Sequence, residues 1–99
     1  MNYNRIKTLQ KEYGFDTIQE QINSGLAWKL EGSVGRYAMD LLEAGVCMLP
    51  KEVKIDYYGN RIPSRDELKK GTKGTYQNSK NFWTKVENGE IFLEDYLEY

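Results

Sequence analysis

The fold of this chain is decided by one stretch, Gly32-Ser33-Val34-Gly35-Arg36-Tyr37-Ala38-Met39-Asp40-Leu41-Leu42-Glu43-Ala44-Gly45. Its apolar side chains recur at three- and four-residue spacing, which is typical of a helix with one buried face. They are Val34, Tyr37, Ala38, Leu41 and Leu42. Ser33 is predicted to cap the start of this helix, and Gly45 to end it in the left-handed conformation. Asp40 and Glu43 should face solvent. We predict a central helix on which the other elements pack.

Two shorter helices are predicted before the central one. The first carries apolar residues at helical spacing and ends at Gly14. Asp16 followed by Gln19 has the form of a capping box, which predicts a second helix from about Thr17 to Ser24. The apolar residues of segment 26–30 almost alternate, so a short strand and a helical turn both stay open there.

A small hairpin is predicted after the central helix. Segment 53–57 alternates between apolar and polar residues, and Gly59-Asn60 suits a tight turn because glycine accepts a positive φ. Pro63 limits the second strand to an edge or a stub. Ser64 with Glu67 has the form of a second capping box, predicting a short helix that ends at Gly71.

The remaining segments complete an α-rich α+β fold. Residues 71–75 read as a loop, and a helix is predicted from about Asn78 or Ser79 to Glu87. The last ten residues favour a final helical turn or two. Trp28 and Trp83 are predicted to lie in the core. Residues 1–99 should therefore form a single globular domain, with several short helices packed on a central helix and one small β-hairpin.

Composition bounds the chemistry of the chain. Its 99 residues contain no histidine and one cysteine, Cys47, which lies in an apolar run and is predicted to be buried. The usual general base near neutral pH and the usual metal ligands are therefore absent. We predict a non-enzymatic protein with no cofactor and no metal site. Neither a signal peptide nor an apolar run of about 18 residues is recognisable, so we expect a cytoplasmic protein without a membrane partner.

A weak anion-binding pattern lies at the start of the central helix. Amides at a helix start favour anions, so Ser33, Gly35 and Arg36 are candidate ligands of a phosphate or carboxylate. The spacing matches neither a nucleotide-binding P-loop nor the dinucleotide fingerprint. A capping role for Ser33, and a close helix neighbour beside Gly35, are the simpler interpretations.

Charge is unevenly distributed in the second half of the chain. Segment 61–85 has seven Lys or Arg against Asp66 and Glu67, and segment 86–99 has five acidic residues and no basic one. One interpretation is that the acidic segment folds back and neutralises the basic one. The alternative is nucleic-acid binding by cations interleaved with aromatic rings. The candidate residues are Arg61, Arg65, Lys69, Lys70, Lys73 and Lys80.

Protein recognition is the leading hypothesis, because Tyr, Trp and Arg tend to anchor interfaces. The candidate anchors lie in the hairpin and the basic loop after it, and they are Tyr57, Tyr58, Arg61, Arg65 and Lys73. A structural role through homo-oligomers also stays open. So does a third binding mode, in which the acidic segment competes for a nucleic-acid-binding surface on another protein.

Two stretches carry a resemblance. Leu30-Glu31-Gly32-Ser33-Val34-Gly35-Arg36 and Asp56-Tyr57-Tyr58-Gly59-Asn60-Arg61-Ile62-Pro63-Ser64-Arg65 are similar to segments of small accessory proteins carried by bacteriophages and other mobile elements. The resemblance implies an inhibitor or adaptor that binds a host or phage protein in the bacterial cytoplasm. It carries over no catalytic or binding residues.

Overall fold

A computed structural model of the protein describes residues 1–30 and 32–97. Five α-helices, two short strands and two 3-10 helical turns follow one another along this part of the chain. They are α1 (Tyr3–Glu12), α2 (Asp16–Ser24), a 3-10 turn (Leu26–Trp28), α3 (Gly32–Ala44), β1 (Lys54–Ile55), β2 (Arg61–Ile62), a second 3-10 turn (Arg65–Glu67), α4 (Tyr76–Glu87) and α5 (Glu94–Leu97). The predicted α-rich α+β fold with one small hairpin is confirmed.

Helix α3 is the central helix that its apolar spacing predicts. Ala38, Leu41 and Leu42 are buried in the core. Gly45 has a φ of +99°, as predicted for the residue that ends the helix, and a Cβ there would lie 2.8 Å from the Asn78 carbonyl oxygen of α4. The Ser33 cap is a wrong prediction: α3 already begins at Gly32, so Ser33 lies inside the first turn.

The capping box predicted for α2 is also wrong. Asp16 is the first residue of the helix, and Phe15 precedes it as an N-cap without a side-chain hydrogen bond. Gln19 is instead turned inward and is 7 % exposed. Its Oε1 accepts from the Met48 amide at 3.0 Å, and its Nε2 donates to the Met48 carbonyl at 2.8 Å. The Gln19 side chain therefore hydrogen-bonds to the buried segment after α3, whereas the local sequence pattern predicted that it would cap a helix.

The core closes around Trp83 of α4, which is fully buried. Its ring packs edge-to-face against Phe82 and Phe15, at centroid distances of 5.2 and 6.3 Å. Its indole N–H donates to the Val46 carbonyl at 3.1 Å, and Gln10 Nε2 donates to the same oxygen at 2.9 Å. The segment that follows α3 is thus fixed by side chains of α1, α2 and α4.

The hairpin is present, but its turn is one residue longer than predicted. Lys54 pairs with Ile62 and Ile55 with Arg61 in an antiparallel register. The Asp56 amide donates to the Asn60 carbonyl at 2.9 Å, so the loop comprises Tyr57, Tyr58 and Gly59. Gly59, with a φ of +82°, is the last loop residue and not the first. A three-residue loop that ends in a left-handed residue is a common hairpin connection.

The capping box at Ser64 is confirmed, although it starts only one 3-10 turn. Ser64 Oγ accepts from the Asp66 amide at 3.2 Å, and Glu67 Oε2 accepts from the Ser64 amide at 2.7 Å. Leu68 is extended, so the turn ends well before Gly71. Helix α4 begins at Tyr76, earlier than predicted, because Thr75 Oγ1 accepts from the Asn78 amide at 3.2 Å and caps it.

A candidate binding face around Trp28 and the hairpin

The hairpin tip presents two neighbouring tyrosine rings. Tyr57 is 74 % exposed and Tyr58 is 84 % exposed, and their rings meet edge-to-face at a centroid distance of 5.2 Å. The turn beneath them is fixed by Asp56, whose Oδ1 accepts from the Tyr58 amide at 2.9 Å and the Asn60 amide at 2.8 Å. The rings are therefore held on an ordered turn, which lowers the entropy that a binding partner must remove.

Trp28 lies behind the hairpin tip. Its carbonyl accepts from the Tyr57 amide at 3.1 Å, which ties the hairpin to the 3-10 turn at Leu26–Trp28. A groove of about 440 Å³ separates the tip from the start of α3, and Trp28, Gly32, Gly35, Asp56, Tyr57 and Tyr58 all line it. The buried Trp28 indole N–H has no hydrogen-bond partner among the described residues. The ring is only half-buried, so the prediction of a core residue holds for Trp83 and not fully for Trp28.

A second cavity, of about 340 Å³, also has Trp28 in its lining. We call it the apolar cavity. Buried Leu42 and Leu49 form its floor. Half-buried side chains form its walls, and these are Trp28, Ile62, Pro63 and Leu68. Exposed Met39, Thr72 and Lys73 lie at its mouth. Trp28 therefore lines the apolar cavity as well as the hairpin groove.

The five predicted protein-binding residues do not form one cluster. Tyr57 and Tyr58 lie together at the tip, whereas Arg61 forms an ion pair with Glu67. The hydrogen bond from Arg61, helped by the Ser64 amide, lowers the pKa of Glu67. Lys73 Nζ lies 3.5 Å from Glu43 Oε1, and Lys73 is not among the residues that line the hairpin groove.

Arg65 has a structural position apart from the hairpin tip. Its Nη1 donates to the Leu49 carbonyl at 3.1 Å, and its guanidinium carbon lies 5.2 Å from the centroid of the Tyr3 ring. Both contacts fix the loop after the hairpin to the helical core. Arg65 is thus less available for a partner than its sequence position indicates.

The predicted nucleic-acid-binding cations are similarly divided. Arg61 and Lys73 have acidic partners, whereas Lys69, Lys70 and Lys80 form no ion pair within the described part of the chain. Lys70 and Lys80 line a third cavity, of about 380 Å³, together with Arg65, Asp66 and the first residues of α4. We call this the basic cavity. It brings together three of the predicted cations, Arg65, Lys70 and Lys80.

The acidic segment does not neutralise the basic one within residues 1–30 and 32–97, where no ion pair links 61–85 to 86–97. Glu87 instead pairs with Arg5 of α1. The end of the chain is held by other contacts: Tyr37 Oη donates to the Tyr96 carbonyl at 2.8 Å, and the Tyr96 ring meets Phe82. The interpretation of a folded-back, charge-pairing tail is wrong for the described residues, and Glu98 lies outside them.

The candidate anion site at the start of α3 borders the hairpin groove. Gly35 lines that groove, and a Cβ there would meet only the Ala27 carbonyl oxygen at an ordinary 3.7 Å. Arg36 folds back over the first turn, since its Nη1 lies 3.0 Å from the position of a Cβ on Gly32. Ser33 is half-buried beside them. An anion site at Ser33, Gly35 and Arg36 stays a prediction.

Burial governs the chemistry of the lone cysteine. Cys47 is fully buried, and desolvation raises the pKa of its thiol to about 12. The sulfur is therefore protonated at neutral pH and is not a thiolate nucleophile. No cluster of three or more Cys, Asp or Glu side chains suited to a metal ion occurs among the described residues. No helix in that part of the chain has both the length and the apolar character to cross a membrane.

Comparison with known proteins found no match to any family model, curated protein or solved structure. The site must therefore be judged on its own geometry. Sequence reasoning missed the apolar cavity and the position of Trp28 in the lining of both this cavity and the hairpin groove. One local signal was available: Met39 is an apolar residue on a helix face otherwise occupied by Arg36, Asp40 and Glu43.

Proposed function

We propose that this protein is a small non-enzymatic binding module that engages another protein through the hairpin tip and the groove beside Trp28. The observation that carries the proposal is the pair of adjacent, highly exposed tyrosine rings, Tyr57 and Tyr58, on a turn fixed by Asp56. Tyrosine offers large contact area at low cost in side-chain entropy, which makes it a frequent interface anchor.

The groove gives the tyrosines a complementary feature. A partner side chain entering it would contact the Trp28 ring. Arg61, Arg65 and Lys73 take smaller parts in this proposal, because each already has an intramolecular partner. The resemblance to bacteriophage accessory proteins implies a host or phage partner in the bacterial cytoplasm. We propose that the protein acts on such a partner as an inhibitor or adaptor.

The double variant Tyr57→Ser/Tyr58→Ser tests the proposal. The tagged protein is used to capture partners from bacterial lysate after nuclease treatment, and the captured protein is then purified and titrated directly. We expect the double variant to weaken that binding by roughly 100-fold or more, as for loss of two interface anchors. Its urea unfolding should change little, because both rings are mostly exposed.

Phe92→Ser is the matched control, since Phe92 is 74 % exposed like Tyr57 but lies near the end of the chain. Its affinity for the same purified partner should stay within about twofold of the wild-type value, a smaller change than the loss of one anchor contact would cause. Equal loss in both variants would mean that the hairpin tip is not what determines binding. Full binding by the tyrosine variant would end the proposal.

Nucleic-acid binding is the alternative function, and the basic cavity is the observation that favours it. Arg65, Lys70 and Lys80 line it together, and Asp66 is the opposing charge. Binding through these cations should weaken steeply as salt increases, because each phosphate contact releases counterions. Lys70→Glu/Lys80→Glu should abolish retention of a labelled DNA or RNA strand at low salt. Salt-independent retention, or none at low salt, rules this function out.

A further inference from the structure

The chain carries opposite charges that it does not pair with each other. Among residues 61–85, Lys69, Lys70 and Lys80 have no acidic partner in the described chain, and in segment 86–97 neither Glu94 nor Asp95 has a basic one. Between those acidic residues and Glu90 lies Phe92, whose side chain is 74 % exposed. An aromatic ring flanked by carboxylates is the chemistry that an apolar cavity bordered by cations recognises.

The apolar cavity has these features. Its volume of about 340 Å³ is at the lower end of ligand pockets, roughly 300–1,000 Å³, and suits one large side chain. Lys73 lies at its mouth and is only loosely held, 3.5 Å from Glu43. Leu68 lines both the apolar cavity and the basic cavity, so Lys70 and Lys80 lie in the neighbouring cavity.

Phe92 cannot fill the apolar cavity of its own chain. The segment around it is anchored by Tyr37, whose hydroxyl donates to the Tyr96 carbonyl at 2.8 Å, and by Leu93, which is buried. The cavity is lined by Met39. Positions 37 and 39 of a helix differ by about 200° around its axis. The acidic segment and the cavity therefore lie on opposite sides of α3.

We propose that Phe92 of one copy of this protein inserts into the apolar cavity of a second copy, with the neighbouring carboxylates facing Lys70, Lys73 and Lys80. The two surfaces are different, so the contact is head-to-tail. Each bound copy still offers a free cavity or a free acidic segment, and association continues into rings or open chains. This inference goes beyond the proposed function and uses neither Tyr57 nor Tyr58.

Sedimentation over a range of protein concentrations, at low and moderate salt, tests the inference with the full chain. Wild type should associate as concentration rises, and less so at moderate salt. Phe92→Ser removes the inserted ring, and Met39→Glu places a carboxylate at the mouth of the cavity. Each should weaken association by roughly 10- to 100-fold, as for loss of one buried aromatic side chain. Phe92→Leu and Met39→Leu are the matched controls and should associate nearly as wild type does.

Mixing the two defective variants gives the decisive result. Phe92→Ser retains an intact cavity, and Met39→Glu retains an intact acidic segment, so together they should form a capped one-to-one dimer that neither forms alone. Circular dichroism verifies that both variants are folded. A monomeric wild type at every concentration overturns the inference. So does a mixture that stays monomeric while wild type associates, because an intact acidic segment on one copy and an intact cavity on the other would then not be sufficient for contact. Single variants that associate as wild type does would place the contact elsewhere and also overturn the inference.

Discussion

The two tryptophans of this protein mark two regions that differ in how firmly they are closed. Trp83 is fully buried, packs against Phe15 and Phe82, and donates its indole N–H to the Val46 carbonyl at 3.1 Å. Trp28 is half-buried, lines both the hairpin groove and the apolar cavity, and has an indole N–H with no partner in the described chain. The first ring holds the core together, and the second borders open space.

The difference shows which region of this small protein contributes most to its stability. Around Trp83, the segment after α3 is fixed from several helices through Gln10, Gln19 and the indole. Around Trp28, the sheet has two residues per strand, and cavities remain between hairpin, α3 and the loop at 68–74. The region around Trp28 contributes little to stability, so it can keep exposed aromatic side chains for binding. The region around Trp83 cannot change without loss of the fold.

Removal of the Gln19 side chain should have the largest effect on stability. Gln19→Ala leaves the Met48 amide and carbonyl buried without partners, and each unpaired group costs about 1–3 kcal/mol. We expect a loss of about 4 kcal/mol in the free energy of unfolding, measured by urea denaturation. Gln21→Ala, the same change on the less buried side of α2, should stay within about 0.5 kcal/mol. Similar losses in both variants would mean that the hydrogen bonds of Gln19 do not stabilise the region around Trp83.

Replacement of each tryptophan by phenylalanine compares the two regions directly. Trp83→Phe removes a buried hydrogen bond and part of a well-packed ring, so unfolding should become easier by about 2 kcal/mol. Trp28→Phe removes a donor that lacks a partner, and the change should be within about 0.5 kcal/mol, in either direction. Both values come from chemical denaturation followed by far-UV circular dichroism. If Trp28→Phe costs as much as Trp83→Phe, the contrast between the two regions fails.

The sequence predicted those parts of the fold that short-range chemistry determines. The apolar spacing of α3 requires only that one face of the helix is buried. The effects of Gly45 and of the Ser64–Glu67 capping box depend only on residues close to them in sequence. The false capping box of α2 failed for a different reason. Gln19 has a stronger use, about thirty residues away at Met48, and that contact exists only after the chain has folded.

The candidate site shows the same division. The tyrosine pair was predictable, because a polar turn cannot bury adjacent rings at its tip. The apolar cavity was not, since its lining comes from the 3-10 turn, α3, the hairpin and the following loop. Nor could the sequence predict that Arg61 meets Glu67 and Lys73 meets Glu43, which leaves fewer cations free than a charge count indicates.

The smallest predicted effect concerns two serines that were both predicted to cap a helix but have different positions in the structure. Ser64 caps the turn beside the apolar cavity, so Ser64→Ala should lower the free energy of unfolding by about 1 kcal/mol. Ser33 lies inside the first turn of α3, where alanine is the better helix former, so Ser33→Ala should be neutral or slightly stabilising. Urea denaturation of the two variants side by side measures the difference. A loss of about 1 kcal/mol in Ser33→Ala would show that Ser33 does cap α3 and that the helix begins later. An unchanged Ser64→Ala would mean that the open region does not depend on this capping box, and that the wall at Leu68 is held in place by packing alone.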